Sequence, residues 1–258
     1  KKGIPHHLMG FLDRDVTFSA ADYVRLAHEK IGEILNRGKL PIIVGGTGLY
    51  IDSLLNNVNF SEMKNDEEYR KSLYDFAAEN GNEALYEKLV SADSKAAEQI
   101  HMNNLVRVIR ALEVIHVTGR KFSELKEESR LVESPYDSLI IGLNATDRAI
   151  LYDRINRRVD IMVEMGLVEE AFELWQSSPM KTAANAIGYK ELIPYFKKEM
   201  SLVECIDKIK QETRRYAKRQ LTWFRRNDSI EWVVTDDFSK KCEIFEKSEK
   251  AIAKYGIM

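Results

Sequence analysis

The sequence predicts an α/β protein that carries an all-helical insertion. Residues 40–44 form a short, continuous apolar run, which is typical of a strand covered on both faces in a parallel sheet, and residues 139–143 indicate a return to that sheet. Between them, residues 57–130 contain one helical pattern after another and no convincing strand. We therefore predict an α/β core from residues 1–56 and 131–258, with residues 57–130 as an inserted helical domain.

Composition and charge exclude several classes of protein. The 258 residues carry 39 Lys and Arg against 41 Asp and Glu, and 44% are apolar, which excludes a disordered or collagen-like chain. No apolar run reaches about 18 residues, so we expect no membrane contact. The two cysteines, Cys205 and Cys242, lie far apart, which favours a reducing compartment over a disulfide scaffold or a zinc knuckle.

The first elements follow in order. Ser19 can cap a helix over residues 19–36, and Gly38 ends it. After the first apolar run, a glycine turn leads into a second helix over residues 49–55.

The rest of the chain is predicted to be mainly helical. Asn104 is expected to cap one helix with its side chain, and Gly119 to end the same helix. Residues 231–234 are predicted to form a last strand. The predicted helices cover residues 66–78, 83–90, 95–100, 105–117, 147–165, 167–175, 202–226 and 238–253.

The first candidate site is the turn Val44-Gly45-Gly46-Thr47-Gly48. Ligands of open α/β sheets bind at the carboxyl ends of strands, and this turn follows a predicted strand. Glycines let backbone N–H groups approach a phosphate, the next helix adds its positive end, and Thr47 offers a hydroxyl. The alternative is a tight turn without a ligand. The turn is not a Walker A motif, because no Gly-Lys-Ser or Gly-Lys-Thr follows.

The second candidate is a pair of arginines. Arg154 and Arg158 are four residues apart, so they share one face of a predicted helix beside its apolar stripe. Guanidinium groups in that position suit a two-point clamp for an oxyanion. The alternative is a pair of surface arginines that bridge to acidic residues.

The third candidate is a basic helix. Residues 208–226 hold eight Lys and Arg against one acid, Glu212. Tyr216, Trp223 and Phe224 lie among these cations, a combination that favours stacking on bases together with pairing to phosphates. The alternative is a solvated basic face that acids elsewhere compensate.

Two smaller features remain. His6 and His7 are adjacent but lack a nearby ligand set, which favours a structural role over metal binding. The second is a turn with several groups able to make contacts, Ala186-Ile187-Gly188-Tyr189-Lys190. The alternative is a plain loop with an exposed tyrosine.

Taken together, these segments resemble the tRNA dimethylallyltransferase family, also called the tRNA isopentenyltransferase family. The resemblance rests on short motifs that follow one another in family order over nearly the whole chain. These motifs are Pro5-His6-His7-Leu8, Phe18-Ser19-Ala20-Ala21, Val44 to Tyr50, Arg107 to Val114 with Thr118-Gly119, Arg154 to Met162, Ala186 to Lys190, and Lys218 to Arg225. The resemblance implies transfer of a dimethylallyl group from its diphosphate to N6 of the adenosine 3′ of the anticodon. It also implies a P-loop-NTPase-like core and a helical domain that grips the anticodon arm.

The resemblance also implies roles for individual residues. Thr47 corresponds to the active-site threonine, and Arg158 to the arginine that holds the diphosphate together with Gly45, Gly46 and Mg²⁺. The tRNA contacts implied in the same way are Val106, Arg107, Val108, Ile109, Arg110, Asn185, Ala186, Ile187, Gly188, Tyr189, Lys190, Lys218, Arg219, Gln220, Leu221, Thr222, Trp223, Phe224 and Arg225. The expected partners are tRNA and dimethylallyl diphosphate, and the chain is expected to act as a cytoplasmic monomer.

The chain departs from the family pattern in two places. Where the family usually has His-Pro-Asn-Asp, this chain has His101-Met102-Asn103-Asn104, in which Asn104 still suits a helix cap. The family's P-loop and the segment that carries its general-base aspartate would precede Pro5. We therefore predict that the natural protein extends beyond Lys1, and that residues 1–258 alone do not transfer a prenyl group.

Two other functions stay open at the level of the sequence. A P-loop-type kinase that acts on a small molecule would explain the core and Arg158, but not the basic helix. A non-catalytic RNA-binding protein would explain the basic helix without any chemistry. A comparison of tRNA binding with ATP binding distinguishes the kinase from the prenyltransferase. A prenylation assay distinguishes the non-catalytic RNA-binding protein from the prenyltransferase.

Overall fold

The structure is a computed structural model that describes residues 3–13, 16–56, 66–129, 133–177, 186–236 and 241–256. Over these residues the chain is mostly helical and contains a single two-stranded parallel sheet. None of the described helices is long and apolar enough to cross a membrane.

The elements match most of the predicted ones to within a few residues. The predicted strands at 139–143 and 231–234 are confirmed as β1 (Ile140–Asn144) and β2 (Ile230–Val234). The helices in the described ranges are α1 (Ala20–Asn36), α2 (Gly48–Leu55), α3 (Glu67–Ala92), α4 (Ser94–Gln99), α5 (Leu105–Thr118), α6 (Phe122–Glu128), α7 (Arg148–Glu164), α8 (Leu167–Gln176), α9 (Ile193–Phe196), α10 (Leu202–Phe224) and α11 (Lys241–Tyr255).

The chain divides into two compact units. We call them the helical unit, Ala20–Glu33 with Tyr50–Tyr136, and the mixed unit, Lys1–Ser19 with Ile34–Leu49 and Asp137–Met258. The domain division expected from the sequence, with residues 57–130 as the insertion, stays a prediction.

The core of the helical unit lies between α3 and α5, where Leu85 and Ile109 are buried. The sequence predicted two separate helices where α3 stands. The structure confirms two helical segments within α3, which meet at a kink at Gly81, where φ is 87°. Glycine reaches this left-handed conformation without the strain of a Cβ, so the break occupies one residue rather than a loop.

The ends of α5 confirm one prediction and correct another. Gly119 ends the helix in the left-handed conformation, as predicted. Asn104 occupies the predicted N-cap position, but its side chain makes no capping hydrogen bond, so the side-chain part of the prediction is wrong. Its φ of −90° and ψ of 65° differ from the extended backbone of a side-chain cap. Its carbonyl oxygen instead accepts the amides of Arg107 and Val108 at 2.9 and 3.0 Å.

The sheet of the mixed unit pairs β1 with β2 in parallel, with Ile140 opposite Ile230 and Gly142 opposite Trp232. A Cβ on Gly142 would lie 2.7 Å from the ring of Trp232, so glycine makes room for the indole. The sequence patterns that predicted these two strands are therefore confirmed, and so is their parallel direction.

The core of the mixed unit includes the contact between α7 and α10. Val159 of α7, and Cys205 and Ile209 of α10, are buried in one cluster. Cys205 is a free thiol, and Cys242 is free and exposed. This packing gives α10 one face against α7 and one face away from it.

The predicted strand at residues 40–44 is the main correction. Residues 39–47 form neither helix nor strand, and Ile42 and Val44 are 77% and 91% exposed. An apolar run forms a strand only where a neighbouring strand satisfies its backbone groups. Among the described residues, β1 and β2 pair only with each other. The expectation that the natural protein extends beyond Lys1 stays a prediction.

Candidate functional site

The glycine turn, residues 44–48, leads directly into α2. Thr47 is exposed and stands one residue before this helix, at its positive end. Gly45 is open, because no atom of the described residues lies within 4 Å of the place where a Cβ would stand. The turn therefore keeps a hydroxyl and a stretch of backbone accessible, whereas its role in binding a phosphate stays a prediction.

The other two glycines of the turn serve packing. A Cβ on Gly46 would lie 2.0 Å from Nε2 of Gln220, and a Cβ on Gly48 would lie 2.3 Å from Cδ1 of Trp223. Both side chains belong to α10. The sequence assigned these glycines to phosphate approach, whereas the structure also makes them the surface on which α10 rests.

The helix α10 begins with a capping box. The side chain of Ser201 accepts the amide of Glu204 at 3.3 Å, and the carboxylate of Glu204 accepts the amide of Ser201 at 2.9 Å. These two bonds satisfy groups that a helix start leaves unpaired. The start of the basic helix is thereby fixed by local sequence.

Not all cations of α10 face outwards. Lys210 lies 2.6 Å from the carboxylate of Asp160, and Arg214 donates to Asn156 at 2.6 Å. Both partners are on α7. The interpretation of the whole basic run as an RNA surface is therefore corrected, since these two cations hold α10 against α7.

The remaining cations form an outer face on α10. Thr222 is exposed beside them, and Arg219 lies 5.8 Å from the ring of Tyr216, which is exposed as well. Trp223 and Phe224 are half-buried, so Tyr216 is the most accessible aromatic group of the three. This surface, which we call the basic face, consists of Lys208, Arg215, Lys218 and Arg219 of α10 and of Arg225 and Arg226 directly after it.

The two arginines of α7 do not act as a pair. Arg154 donates to the side chain of Thr235 at 3.2 Å and to the carbonyl of Asp236 at 2.6 Å, which ties α7 to the end of β2. Arg158 is exposed and has no hydrogen-bond or ion-pair partner among the described residues. The clamp of two arginines is thus corrected to one available guanidinium.

The segment that precedes α9 is held by two acids. The buried Glu191 accepts the amide of Gly188 at 2.8 Å, and Glu170 accepts the hydroxyl of Tyr189 at 2.8 Å. The side chain of Lys190 is exposed. Asn185, which the resemblance includes in the tRNA contacts, lies outside the described residues.

The tRNA-contact segment expected on α5 has two faces. Val108 and Ile109 are buried in the core, whereas Val106 and Arg107 are exposed. Any contact that this segment makes with RNA through side chains therefore involves Val106, Arg107 and the partly exposed Arg110.

The sequence analysis missed a buried carboxylate in the helical unit. Glu113 is fully buried, and its oxygens accept hydrogen bonds from Arg70 at 2.8 Å, from Arg110 at 2.7 Å and from the amide of Asp66 at 2.9 Å. Burial alone would raise the pKa of Glu113, but these bonds hold the pKa below its ordinary value. The three-residue spacing of Arg110 and Glu113 was the available signal.

Comparison with known proteins decides the family. The family model described as IPP transferase matches residues 1–227. The chain belongs to the IPP transferase family. A curated relative from Thermoanaerobacter sp. strain X514, named tRNA dimethylallyltransferase, is 48% identical over 98% of this chain and 80% of its own length. Another of the same name, from Bacillus subtilis strain 168, is 47% identical over 95% of this chain and 79% of its own.

Solved structures of IPP transferases resemble this one. A full-length tRNA isopentenylpyrophosphate transferase from Bacillus halodurans aligns with a TM-score of 0.66 at 43% identity, covering 98% of this chain and 80% of its own. A eukaryotic dimethylallyltransferase acting on tRNA aligns with a TM-score of 0.80 at 29% identity, covering 98% and 65%. Within this IPP transferase, α11 lies beyond the residues that the family model matches.

Magnesium, which the family resemblance implies, prefers oxygen ligands. In the parts of the chain that the structure describes, no three His, Cys, Asp or Glu side chains cluster so as to hold a metal ion. His6 instead lies 2.8 Å from the carbonyl of Ile4 through its Nδ1 atom. The described residues therefore do not fit a metal cage built from protein ligands alone, and no step below passes through the ion.

Proposed function

We propose that this IPP transferase moves a dimethylallyl group from dimethylallyl diphosphate to N6 of the adenosine 3′ of the anticodon in tRNA. The observation that carries the proposal is the junction of α10 with the glycine turn, where Gln220 donates to the carbonyl of Gly46 at 2.9 Å. A cationic helix face suited to RNA and a turn suited to a diphosphate thus meet in one unit. The names of the relatives, which are tRNA-modifying enzymes, support the same reaction.

The reaction determines what the site has to stabilise. The bond between C1 of the prenyl group and the diphosphate oxygen breaks, C1 bonds to N6 of adenine, and the released diphosphate leaves. N6 gives up one proton to a carboxylate base, which the family resemblance places before Pro5. Allylic diphosphates ionise readily because the cation is delocalised, so the enzyme must stabilise charge on the departing diphosphate and exclude water. We assign the first task to Arg158, to the hydroxyl of Thr47 and to the backbone of Gly45 and Gly46.

The tRNA is recognised through charge and shape. The basic face of α10 supplies cations that pair with phosphates, and Arg107 with Val106 supplies a second contact on the helical unit. The target adenosine has to leave the anticodon stack before N6 can react, which stacking and pocket contacts on the protein can stabilise.

Several finer points belong to the same proposal. We infer that the core is P-loop-like, that the helical unit acts as an insertion that grips the anticodon arm, and that Mg²⁺ arrives bound to the diphosphate oxygens. A cytoplasmic location and a monomeric state also stay predictions. The family membership favours prenyl transfer over the small-molecule kinase and over the non-catalytic RNA-binding protein.

A transfer assay tests the proposal. The natural full-length protein is incubated with unmodified tRNA and dimethylallyl diphosphate. The tRNA is then digested, and its nucleosides are separated and identified by mass spectrometry. We expect N6-dimethylallyladenosine together with one released diphosphate per modified tRNA. ATP consumption without a change in the tRNA would support the kinase instead, and tRNA binding without either product would support the non-catalytic protein.

A further inference from the structure

Two side chains of α10 lie on the glycine turn rather than on the basic face. The amide nitrogen of Gln220 donates to the carbonyl of Gly46 at 2.9 Å, and the ring of Trp223 lies against Gly48. Both are half-buried, whereas Lys218, with the other cations of the basic face, is exposed. The segment 218–225 therefore contains residues with two different surroundings.

The hydrogen bond from Gln220 fixes the direction of one peptide group. The carbonyl of Gly46 and the amide N–H of Thr47 belong to the same planar peptide, and there is no cis peptide bond among the described residues. In a trans peptide these two groups point in opposite directions. With the carbonyl held by Gln220, the N–H of Thr47 points away from that side chain, and it has no hydrogen-bond partner among the described residues.

The contact of Trp223 limits the turn from the other end. A Cβ on Gly48 would stand between 2.3 and 2.6 Å from three atoms of the indole, so the ring occupies the space next to the first residue of α2. Real Cβ atoms do not come so close to other heavy atoms, and the turn therefore has no room to shift towards α10.

We propose that Gln220 and Trp223 are positioning residues for the glycine turn. Gln220 orients the peptide of Gly46 and Thr47 so that the Thr47 N–H is presented to a diphosphate, and Trp223 holds the turn in place. The inference rests on the proposed function, since it takes the diphosphate to be the ligand of this turn. It differs from the role that the resemblance implies for both residues, which is direct contact with tRNA.

The test compares substitutions at two glutamines of the same helix in the natural full-length protein. Gln220→Ala removes the donor, and Gln220→Glu keeps the shape of the side chain but offers no N–H. Gln211→Glu is the matched control, because Gln211 is exposed on α10 and receives the same added charge. The readouts are the KM for dimethylallyl diphosphate, the Kd for an anticodon stem–loop and the affinity for inorganic diphosphate in the absence of RNA.

We expect both Gln220 variants to raise the KM for dimethylallyl diphosphate and weaken inorganic diphosphate binding by about two- to tenfold, as for the loss of one hydrogen bond. Gln220→Ala should leave the tRNA Kd unchanged within about twofold, because the inference gives Gln220 no contact with RNA that the substitution could remove. Gln211→Glu should leave both diphosphate readouts unchanged. A Gln220→Ala variant with weaker tRNA binding and unchanged diphosphate affinity would overturn the inference in favour of direct RNA contact.

A second measurement covers the case in which a single variant folds poorly. Gly46→Ala places a Cβ 2.0 Å from the Gln220 amide, so the loss of diphosphate affinity that it causes should be smaller in a Gln220→Ala background. Additive losses would contradict the contact. If the wild-type protein forms no prenylated tRNA while Gln220→Ala still weakens inorganic diphosphate binding, the proposed function fails and the positioning role stands.

Discussion

The indole of Trp223 lies on Gly48 so closely that a Cβ on this glycine would stand 2.3 Å from Cδ1 of the ring. The φ of Gly48 is not in the left-handed region, so backbone conformation does not require a glycine here. The glycine is required because the indole leaves no space for a side chain. Through this contact the last turns of a cationic helix are packed against the turn that carries Thr47. The surface proposed for RNA and the turn proposed for the diphosphate are thereby in direct contact within the mixed unit.

Gly48→Ala is expected to destabilise the protein by about 1–3 kcal/mol, the range for overpacking a filled site. Gly32→Ala is the control, because Gly32 lies inside α1 and none of the described atoms lies within 4 Å of its Cβ position. This second change should stabilise the protein by roughly 0.5–1 kcal/mol, since alanine is the better helix former. Urea unfolding of both variants measures the difference, and equal effects would contradict the contact with Trp223.

Glu113→Gln is expected to destabilise the helical unit by about 2 kcal/mol, because an amide cannot accept all the bonds that Arg70, Arg110 and the Asp66 amide donate. The folded-state pKa of Glu113 is lowered, so its stabilisation is present above the ordinary glutamate pKa and is lost as pH falls through the folded pKa. The difference between wild type and variant should shrink over that acidic range in a series of urea titrations.

The exposed pair Arg25 and Glu29 supplies the control for this prediction. Their side chains are 61% and 54% exposed, so Glu29→Gln should change the free energy of unfolding by less than about 0.5 kcal/mol at any pH. A pH-independent loss in Glu113→Gln would mean that the carboxylate charge contributes nothing to the fold.

Arg158→Ala is expected to lower the prenylation rate by about one to two decades, as for the loss of a charge-assisted hydrogen bond to the leaving diphosphate. The affinity for tRNA should stay within about twofold. Arg157→Ala is the neighbouring control, since Arg157 is exposed and pairs with Asp153 on the same helix. Single-turnover kinetics measure the rate, and a normal rate in Arg158→Ala would remove this residue from the site.

Neutralising Lys218, Arg219 and Arg225 to glutamine is expected to weaken tRNA binding and flatten its dependence on salt. Each phosphate contact contributes about 0.7–0.9 to the slope of log affinity against log salt, so the slope should fall by up to about 2–3. The control carries the same charge change on α11, at Lys247, Lys250 and Lys254, beyond the residues that the family model matches. An unchanged slope in the first variant would place the RNA elsewhere, with Arg107 and Arg110 as the next surface.

The sequence predicted the parts of this fold that depend on local signals. Helix periodicity located α1 and α5 to within one residue, and the positive φ of Gly119 follows from its place after α5. Of the two paired strands, β1 was visible as an apolar run, and β2 was predicted as a short last strand. The run at residues 40–44 has the same appearance, yet it forms no strand, because pairing depends on neighbours that no local pattern reveals.

The candidate site was predictable in composition but not in orientation. The charge of α10 was evident, whereas its division into an inner and an outer face depends on Asp160 and Asn156. These residues lie 50 and 58 positions before their partners Lys210 and Arg214. The contact of Arg70 with Glu113 spans 43 residues and carries no periodic signal. Long-range contacts of this kind decide which arginines are held and which remain available, as Arg158 does.

The position of the modified base tests the central claim most directly. Two anticodon stem–loops that differ only in the nucleotide 3′ of the anticodon, adenosine in one and guanosine in the other, are incubated with dimethylallyl diphosphate and the natural full-length protein. Our account predicts N6-dimethylallyladenosine at that position in the first RNA and no prenylated nucleoside in the second. Prenylation of both RNAs at another adenosine, or binding of both with no prenylation, would contradict it.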